Sequence, residues 1–370
     1  MLKIGIFGGS FDPVHRDHVE MCKTFAGVLG LDKVIVVPAR LSPFKNSSSA
    51  SAEDRFRMLN LAFEGMSNVY ISRFEIESED VNYSYKTVRH FKEEFKDAKL
   101  YFLIGADSLL SFTKWKYPSV IAKNAKICVA GRVDSDIENA IPVFKKKYGY
   151  KPIILPFTGC CSSTETREYL YLGLNAEKFL TYKVNEFISE NNLYQPDENH
   201  KFLREHSKEK RLVHTVGVIT TAMLYAKRTG ADVNKAKLAA LLHDVAKYLD
   251  KNDYPDCKID KDVPDSVVHQ FLGAYVAEKV LGVKDEEILG AIRWHTTGRP
   301  NMTLLEKIVY TADLLEPGRT FQDVDVLRKA VDKDFESGFR RCVKEMLLFL
   351  IRDGGTIYHL SEDTDKYYNG

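Results

Sequence analysis

Over the first 195 residues, short apolar runs alternate with stretches whose apolar positions recur every three or four residues. Strand-type runs lie at 2–7, 34–38, 68–75, 100–105, 125–131 and 152–156, most of them closing on Gly, Pro or Arg. Helical spacing fills 19–29, 51–63, 86–95 and 118–123 between them. Such alternation predicts an α/β, doubly wound parallel sheet with helices on both faces. Ligands of such a sheet gather at the carboxyl ends of its strands. A Ser-rich stretch at 47–51 reads as a loop after the second strand.

From Glu198 onward the pattern is helical only, at 201–228, 233–249, 267–281, 285–294, 303–314 and 338–353. The polar stretch 194–199, with Pro196 and Asp197, reads as a linker. The expectation is therefore two domains, 1–195 and 197–370, the second all-α. Residues 320–370 are charged and largely helical in pattern, with no readable motif.

A length of 370 residues agrees with that division, and 44% hydrophobic residues suffice for packed cores. The net charge of +1 gives no reason to expect nucleic-acid or membrane partners. Six cysteines, with no CxxC and only Cys160 and Cys161 close together, read as free thiols of a reducing compartment. No basic-then-apolar leader opens the chain, and the apolar run 346–351 is far too short to span a bilayer. These features lead to the expectation of a soluble cytoplasmic protein. The oligomeric state, a homo-oligomer included, stays open.

The richest stretch is MLKIGIFGGSFDPVHRDHVE at 1–20. A strand meets Gly8-Gly9, and a polar turn then delivers His15 and His18 into a helix start, three residues apart and so on one helical face. Glycines allow close backbone approach to phosphate, and a helix N-terminus favours anions. A Gly pair alone is usually a tight turn, and two histidines alone are usually satisfied surface groups. The whole string GGSFDPVHRDH resembles the phosphate motif of the HxGH nucleotidyltransferases, and more closely the bacterial nicotinate-mononucleotide adenylyltransferases, which implies a Rossmann-like sheet. Asp17 departs from the pattern, standing where that family has Gly or another small residue. A carboxylate there either repels a triphosphate or helps to hold Mg²⁺.

Further segments match the same family in order. PARLSPFK (38–45) resembles its basic loop, which implies Lys45 reaching the phosphates, and EDRFRML (53–59) resembles the helix start that follows. NYSYKTV (82–88) resembles the strip facing the mononucleotide, with Ser84, Tyr85 and Thr87. LIGADSLLSFTKW (103–115) supplies Gly105, Asp107 and Trp115, whose ring offers a stacking face for a pyridine. CSSTETR (161–167) resembles the helix start over the triphosphate, with Ser162, Ser163, Thr164 and Arg167, and with Thr166 in place of the usual Ile. The resemblance runs to FISENNLY (187–194). It implies ATP and nicotinate mononucleotide as substrates, with Mg²⁺ on the triphosphate. Gly8, Gly9, Ser10 and Phe11 would line the phosphates, and His15 and His18 would donate to α- and β-phosphate oxygens. Lys45 and Arg167 would neutralise the departing pyrophosphate. Taken singly, Trp115 reads as a packing anchor, Lys45 as a solvated loop charge, and Asp107 and Ser162 as helix caps. Nicotinamide mononucleotide or phosphopantetheine remain rival acceptors, though NYSYKTV and Trp115 favour a pyridine nucleotide.

In the helical half, RLVHTVGV (211–218), LLHDVAKYLD (241–250), VVHQFLGAYVA (267–277), IRWHTTG (292–298) and YTADLLEPGR (310–319) each set His or Asp among apolar residues. An isolated His-Asp pair means little, and a lone His on an apolar face is usually a satisfied core residue. Four histidines and two aspartates on successive helices are costly to bury unless paired or bound to metal. The set resembles the HD-domain metal phosphohydrolases, and more specifically the bacterial family that splits diadenosine tetraphosphate (Ap4A) symmetrically into ADP. That resemblance implies one metal on His214, His243, Asp244 and Asp313, and a second on His269 and His295 with Asp244 bridging. A ligand set of N and O without thiolate suits iron or manganese, with nickel or zinc also fitting. Lys247 would reach a phosphate oxygen and Arg319 the leaving ADP, with Arg299 read rather as surface charge. The expected activity is hydrolysis of dinucleoside polyphosphates, including by-products formed when ATP itself accepts the adenylyl group. Rival readings are a nucleotide-sensing module, or a phosphodiesterase or nucleotidase for cyclic dinucleotides or deoxynucleotides.

Overall fold

The computed structural model describes residues 1–40, 49–78, 83–131, 135–157, 159–354 and 356–370. Two compact units result: Met1–Arg167 with Asn175–Gln195, and Glu168–Leu174 with Pro196–Gly370. The short segment Glu168–Leu174 counts with the second unit, a detail invisible to a boundary drawn along the chain.

The first unit holds a six-stranded sheet of β1 (Lys3–Gly9), β2 (Lys33–Pro38), β3 (Val69–Ile71), β4 (Lys99–Gly105), β5 (Ala125–Ala130) and β6 (Ile153–Leu155). All neighbours are parallel, in the order β3-β2-β1-β4-β5-β6. The winding reverses between β1 and β4, so a crevice opens at the carboxyl ends of those two strands. Helices α1 (Arg16–Leu29), α2 (Ala52–Ala62), α3 (Ser84–Glu94), α4 (Ala106–Ser111), α5 (Pro118–Asn124), α6 (Ser135–Tyr148), the start of α7 (Ser163–Tyr171) and α8 (Tyr182–Glu190) belong to this unit; the residues of α7 from Glu168 onward count with the second. The central strands read as near-continuous apolar runs because both faces are covered; Ile4, Ile6, Ile35, Phe102 and Ile127 are all buried.

β3 is shorter than the apolar run at 68–75, because the Ser72 hydroxyl accepts the Phe74 amide at 3.1 Å and turns the chain. α6 carries Pro142 in its interior, a residue that normally ends a helix, and the sequence pattern does not mark it.

The second unit is helical: α9 (Glu198–His206), α10 (Glu209–Thr229), α11 (Val233–Leu242), α12 (Asp265–Lys279), α13 (Glu286–Arg293), α14 (Leu304–Leu315), α15 (Val324–Lys333), α16 (Phe335–Asp353) and α17 (His359–Asn369). α10 packs on α11 and α14, and α13 packs on α12 and α14. The pattern at 201–228 is two helices, because Ser207 and Lys208 are extended between them. α11 ends well before residue 249. At 243–248 the bonds tighten to the i→i+3 type, Val245 to Leu242 at 3.1 Å and Lys247 to Asp244 at 3.0 Å. Among the described residues, no helix is long and apolar enough to cross a membrane.

Candidate active sites

In the first unit, β1 runs into Gly8-Gly9 at the reversal point, and α1 starts from His15 in an extended conformation. The His15 amide donates to His18 Nδ1 at 3.2 Å, and the two imidazoles stack with centroids 3.7 Å apart. Burial lowers the His15 pKa to about 4, against the pull of Asp17, so this imidazole is neutral at physiological pH. His15 Nδ1 is buried with no hydrogen-bond partner among the described residues. Phe11, at φ 47°, packs edge-on against His18 and Phe7 and sits beneath the loop rather than on its surface.

Gly8, Gly9, Ser10, Ser84, Thr87, Gly105 and Trp115 line one pocket of about 200 Å³, together with Glu75 and Ser108. Tyr85 is not among the lining residues and meets Tyr117 edge-on, with centroids 4.9 Å apart. Asp107 is exposed in the first turn of α4. The Ser162 hydroxyl accepts the Glu165 amide at 3.1 Å at the start of α7, and Ser163 donates to the Pro13 carbonyl at 3.0 Å. Arg167 donates to the Asp12 carbonyl at 2.5 Å and to Thr164 Oγ1 at 3.4 Å. The start of α7 is thus fastened to the loop leading into α1, which brings Arg167 beside the histidine pair's own segment. Lys45 lies outside the described residues.

Asp17 takes a structural role. It is buried, and its Oδ2 accepts the Cys161 amide at 2.7 Å. A Cβ on Gly159 would stand 2.4 Å from that same oxygen, so only glycine admits the carboxylate there. Thr166 is fully buried and donates to the Ser162 carbonyl at 2.8 Å, which satisfies the hydroxyl that replaces an apolar side chain.

Two supports escape a motif reading. Arg55 is 0% exposed and donates to the carbonyls of Ser10 (2.7 Å), Arg40 (3.1 Å) and Ala50 (3.4 Å), fixing the glycine loop from below. Glu75, pushed up by burial, accepts the Thr87 hydroxyl inside the pocket. In EDRFRML Arg55 is one of four charged residues in seven and looks like ordinary helix-surface charge.

In the second unit, His214 projects from α10, His243 and Asp244 follow α11, His269 lies on α12, His295 follows α13, and Asp313 lies on α14. They converge as two triads, His214 with His243 and Asp313, and Asp244 with His269 and His295. Asp244 stands between them: Oδ2 is 3.4 Å from His243 Nε2, and Oδ1 is 3.3 Å from His269 Nε2 and 3.5 Å from His295 Nε2.

The outward nitrogens are tied back. His243 Nδ1 meets the Ala240 carbonyl at 2.7 Å and His295 Nδ1 the Ile292 carbonyl at 2.8 Å. A carbonyl accepts only, so each Nδ1 carries the proton and each Nε2 offers a lone pair inward. His214 Nδ1 likewise meets Glu316 Oε1 at 3.1 Å. His243 Nε2 and Asp244 Oδ1 are buried without a hydrogen-bond partner among the described residues, and His214 Nε2 faces Asp313 Oδ1 at 3.0 Å. Orphaned lone pairs aimed at one another are what a divalent cation requires.

The electrostatics agree. Burial lowers the His243 pKa, and burial chiefly takes His269 down to about 3. Asp244 and Asp313 stay well below the usual carboxylate range: burial is the largest single effect and opposes this, but the contacts of His243 and His295 together outweigh it at Asp244, and those of His214, His243 and Arg319 together at Asp313. Neutral imidazoles at His243 and His269 beside the ionised Asp244 and Asp313 put these donors in their metal-binding state. His214 is shifted upward, since the contacts with Asp313 and Glu316 outweigh its burial.

Other side chains brace this set. Arg211 donates to Asp244 Oδ2 at 2.6 Å. Buried Gln270 accepts the Thr297 amide at 3.2 Å and donates to Thr297 Oγ1 at 3.0 Å, clamping the turn that presents His295. Glu316 fits only because residue 217 is glycine, where a Cβ would stand 2.4 Å from its Oε2. Lys247 Nζ lies 3.2 Å from His269 Nε2, its pKa lowered by burial. Arg319 donates to Asp313 Oδ1 at 2.7 Å, and Arg299 to Glu306 at 2.9 and 3.1 Å. Beside Asp313 and Arg319 opens a second pocket of about 300 Å³, walled by Phe321, Leu327, Met346 and Phe349 with Arg341 and Arg352 at its rim.

Residues 6–169 match the cytidylyltransferase-like family model and residues 211–318 the HD domain model. A protein of Mycoplasma genitalium named probable nicotinate-nucleotide adenylyltransferase/Ap4A hydrolase is 32% identical over 322 residues, covering 86% of this chain and 88% of that protein. The symmetrical bis(5'-nucleosyl)-tetraphosphatase of Bacillus subtilis is 38% identical over 174 residues, 45% of this chain and 92% of its own length. A probable nicotinate-nucleotide adenylyltransferase of Clostridium perfringens is 34% identical over 200 residues, 53% of this chain and 99% of its own. With a nucleotidyltransferase domain followed by an HD hydrolase domain, and a relative matched across both, the chain belongs to the two-domain nicotinate-nucleotide adenylyltransferase/Ap4A hydrolase family.

Proposed function

We propose that the first unit transfers the adenylyl group of ATP to nicotinate mononucleotide, and that the second hydrolyses Ap4A symmetrically to ADP. In the transfer, a phosphate oxygen of the mononucleotide attacks the α-phosphorus of ATP, and the bond to pyrophosphate breaks. No covalent enzyme intermediate is needed, so positioning and charge stabilisation carry the catalysis. His15 and His18 donate to phosphate oxygens at the start of α1, Arg167 and Lys45 balance the departing pyrophosphate, and Trp115 closes the side of the crevice for the pyridine. Mg²⁺ would travel with the triphosphate, held mainly by phosphates and water.

For hydrolysis, His214, His243, Asp244 and Asp313 would hold one ion, and His269 and His295 a second with Asp244 shared; iron or manganese suits these donors. Such a pair supplies hydroxide at neutral pH and a clamp for the attacked phosphate. Lys247 and Arg319 steady phosphate oxygens, and the pocket walled by Phe321 and Phe349 receives a nucleoside. The observation that carries this reading is the inward convergence of Nε2 and carboxylate atoms from six residues into two adjoining triads. The substrates of both halves are cytoplasmic metabolites, and the cytoplasm is the compartment that suits the protein.

Full-length protein supplied with ATP, Mg²⁺ and nicotinate mononucleotide should release pyrophosphate faster than with the amide nucleotide. With iron or manganese it should convert Ap4A to ADP alone. Intact Ap4A after metal loading, or AMP and ATP as products, would refute the second half of the proposal. Metal-dependent binding of Ap4A without turnover would make the helical unit a sensor instead.

A further inference from the structure

The first unit contains a cluster that the transfer chemistry leaves unused. Cys160 and Cys161 are both free thiols, with Sγ atoms 3.8 Å apart. Asp17, on the first turn of α1, points its carboxylate at the same place. One ligand atom from each of the three residues lies within 4.8 Å of the others. Among the described residues this is the one candidate metal group that contains sulfur.

The geometry points to a separate site for a thiophilic divalent cation of the zinc class, held by Asp17, Cys160 and Cys161. A tetrahedral ion with metal–sulfur bonds of about 2.3 Å sets its two sulfurs about 3.8 Å apart, so the thiols already stand at the spacing required. Cys160 is exposed and gives the ion a way in, while Cys161 and Asp17 are held in place by the hydrogen bond between the Cys161 amide and the Asp17 carboxylate. One Asp17 carboxylate oxygen completes a three-residue set, with a fourth position for water or a phosphate oxygen. Soft sulfur donors exclude Mg²⁺ and favour zinc or cadmium over iron held by imidazole and carboxylate. The set therefore differs in kind from the helical unit's centre. Cys161 also immediately precedes Ser162, so a bound ion would tie the first turn of α1 to the start of α7, the two elements that carry His18 and Arg167.

Cadmium reports on this directly, because thiolate-to-metal charge transfer absorbs in the near ultraviolet and the sulfur-free helical centre is silent there. Full-length protein titrated with Cd²⁺ should develop that band and saturate at one thiolate-bound ion per chain, and Zn²⁺ should remove it by competition. Cys160→Ser changes only an exposed side chain and should abolish most of the band; the Cys160→Ser/Cys161→Ser double variant should abolish all of it. Asp17→Asn should weaken binding while leaving a thiolate signal. Thermal unfolding of each variant checks that the fold survives. No band in the unaltered protein at excess cadmium, or an equal band in the double variant, overturns the proposal.

Discussion

The Nδ1 of His214 and the Oε1 of Glu316 stand 3.1 Å apart, joining a helix-borne imidazole to a carboxylate 102 residues later in the chain. Glu316 also accepts the Gly318 amide at 2.6 Å, so it is itself fixed. A carboxylate behind a ligating histidine sets its tautomer and raises its basicity. Glu316→Gln should therefore weaken metal affinity at the helical centre by about 10- to 100-fold. Hydrolysis of Ap4A should return at excess metal, with adenylyl transfer unchanged; metal titration of both activities checks this.

Asp244 should be harsher. Its two oxygens face both triads, and Asp244→Asn removes the charge they share. Hydrolysis should fall by more than about 100-fold, beyond what loss of an outer support produces, and added metal should not restore it.

Arg55→Ala should act through stability. It strips donors from three carbonyls and empties a fully buried volume beneath the glycine loop. Losses of about 3 kcal/mol or more are expected for a buried charged hydrogen-bonding hub. Calorimetry should show a lower transition together with loss of adenylyl transfer.

The depressed His15 gives a signed pH effect. Its folded pKa of about 4 lies below the ordinary 6.5, so between those values the unfolded chain binds more protons than the folded one. The associated stability is present above about pH 6.5 and declines as pH falls toward 4, by about 3 kcal/mol in all. Ring-proton NMR of the ligand-free protein should show no His15 titration near pH 6.5. A His15→Asn variant should lose stability less steeply over the same range.

Phe349→Ala should raise the KM for Ap4A about tenfold through lost base stacking, with a smaller effect on kcat. Steady-state kinetics separates the two.

What the sequence revealed follows from what violates expectation locally. Gly8-Gly9 after an apolar run, and histidines or aspartates inside helical apolar runs, stand out because burial penalises them. The supporting residues do not stand out. Glu316 and Arg211 look like ordinary surface charge until α10 is packed against α14 and against the turn that follows α11. Asp17 could not be assigned because its partner is a backbone amide 144 residues away. Gln270 serves a turn on the far side of α13. The helix break at Ser207-Lys208 and the tightened turn at 243–248 are backbone choices with no glycine or proline to announce them.

His15, the residue that opens α1, is also one of the two imidazoles proposed to meet phosphate. Nucleating that helix and assembling the anion cradle are consequently a single event. Whatever frays its first turn disarms the chemistry at once, so amide exchange at residues 16–19 should serve as a gauge of catalytic readiness.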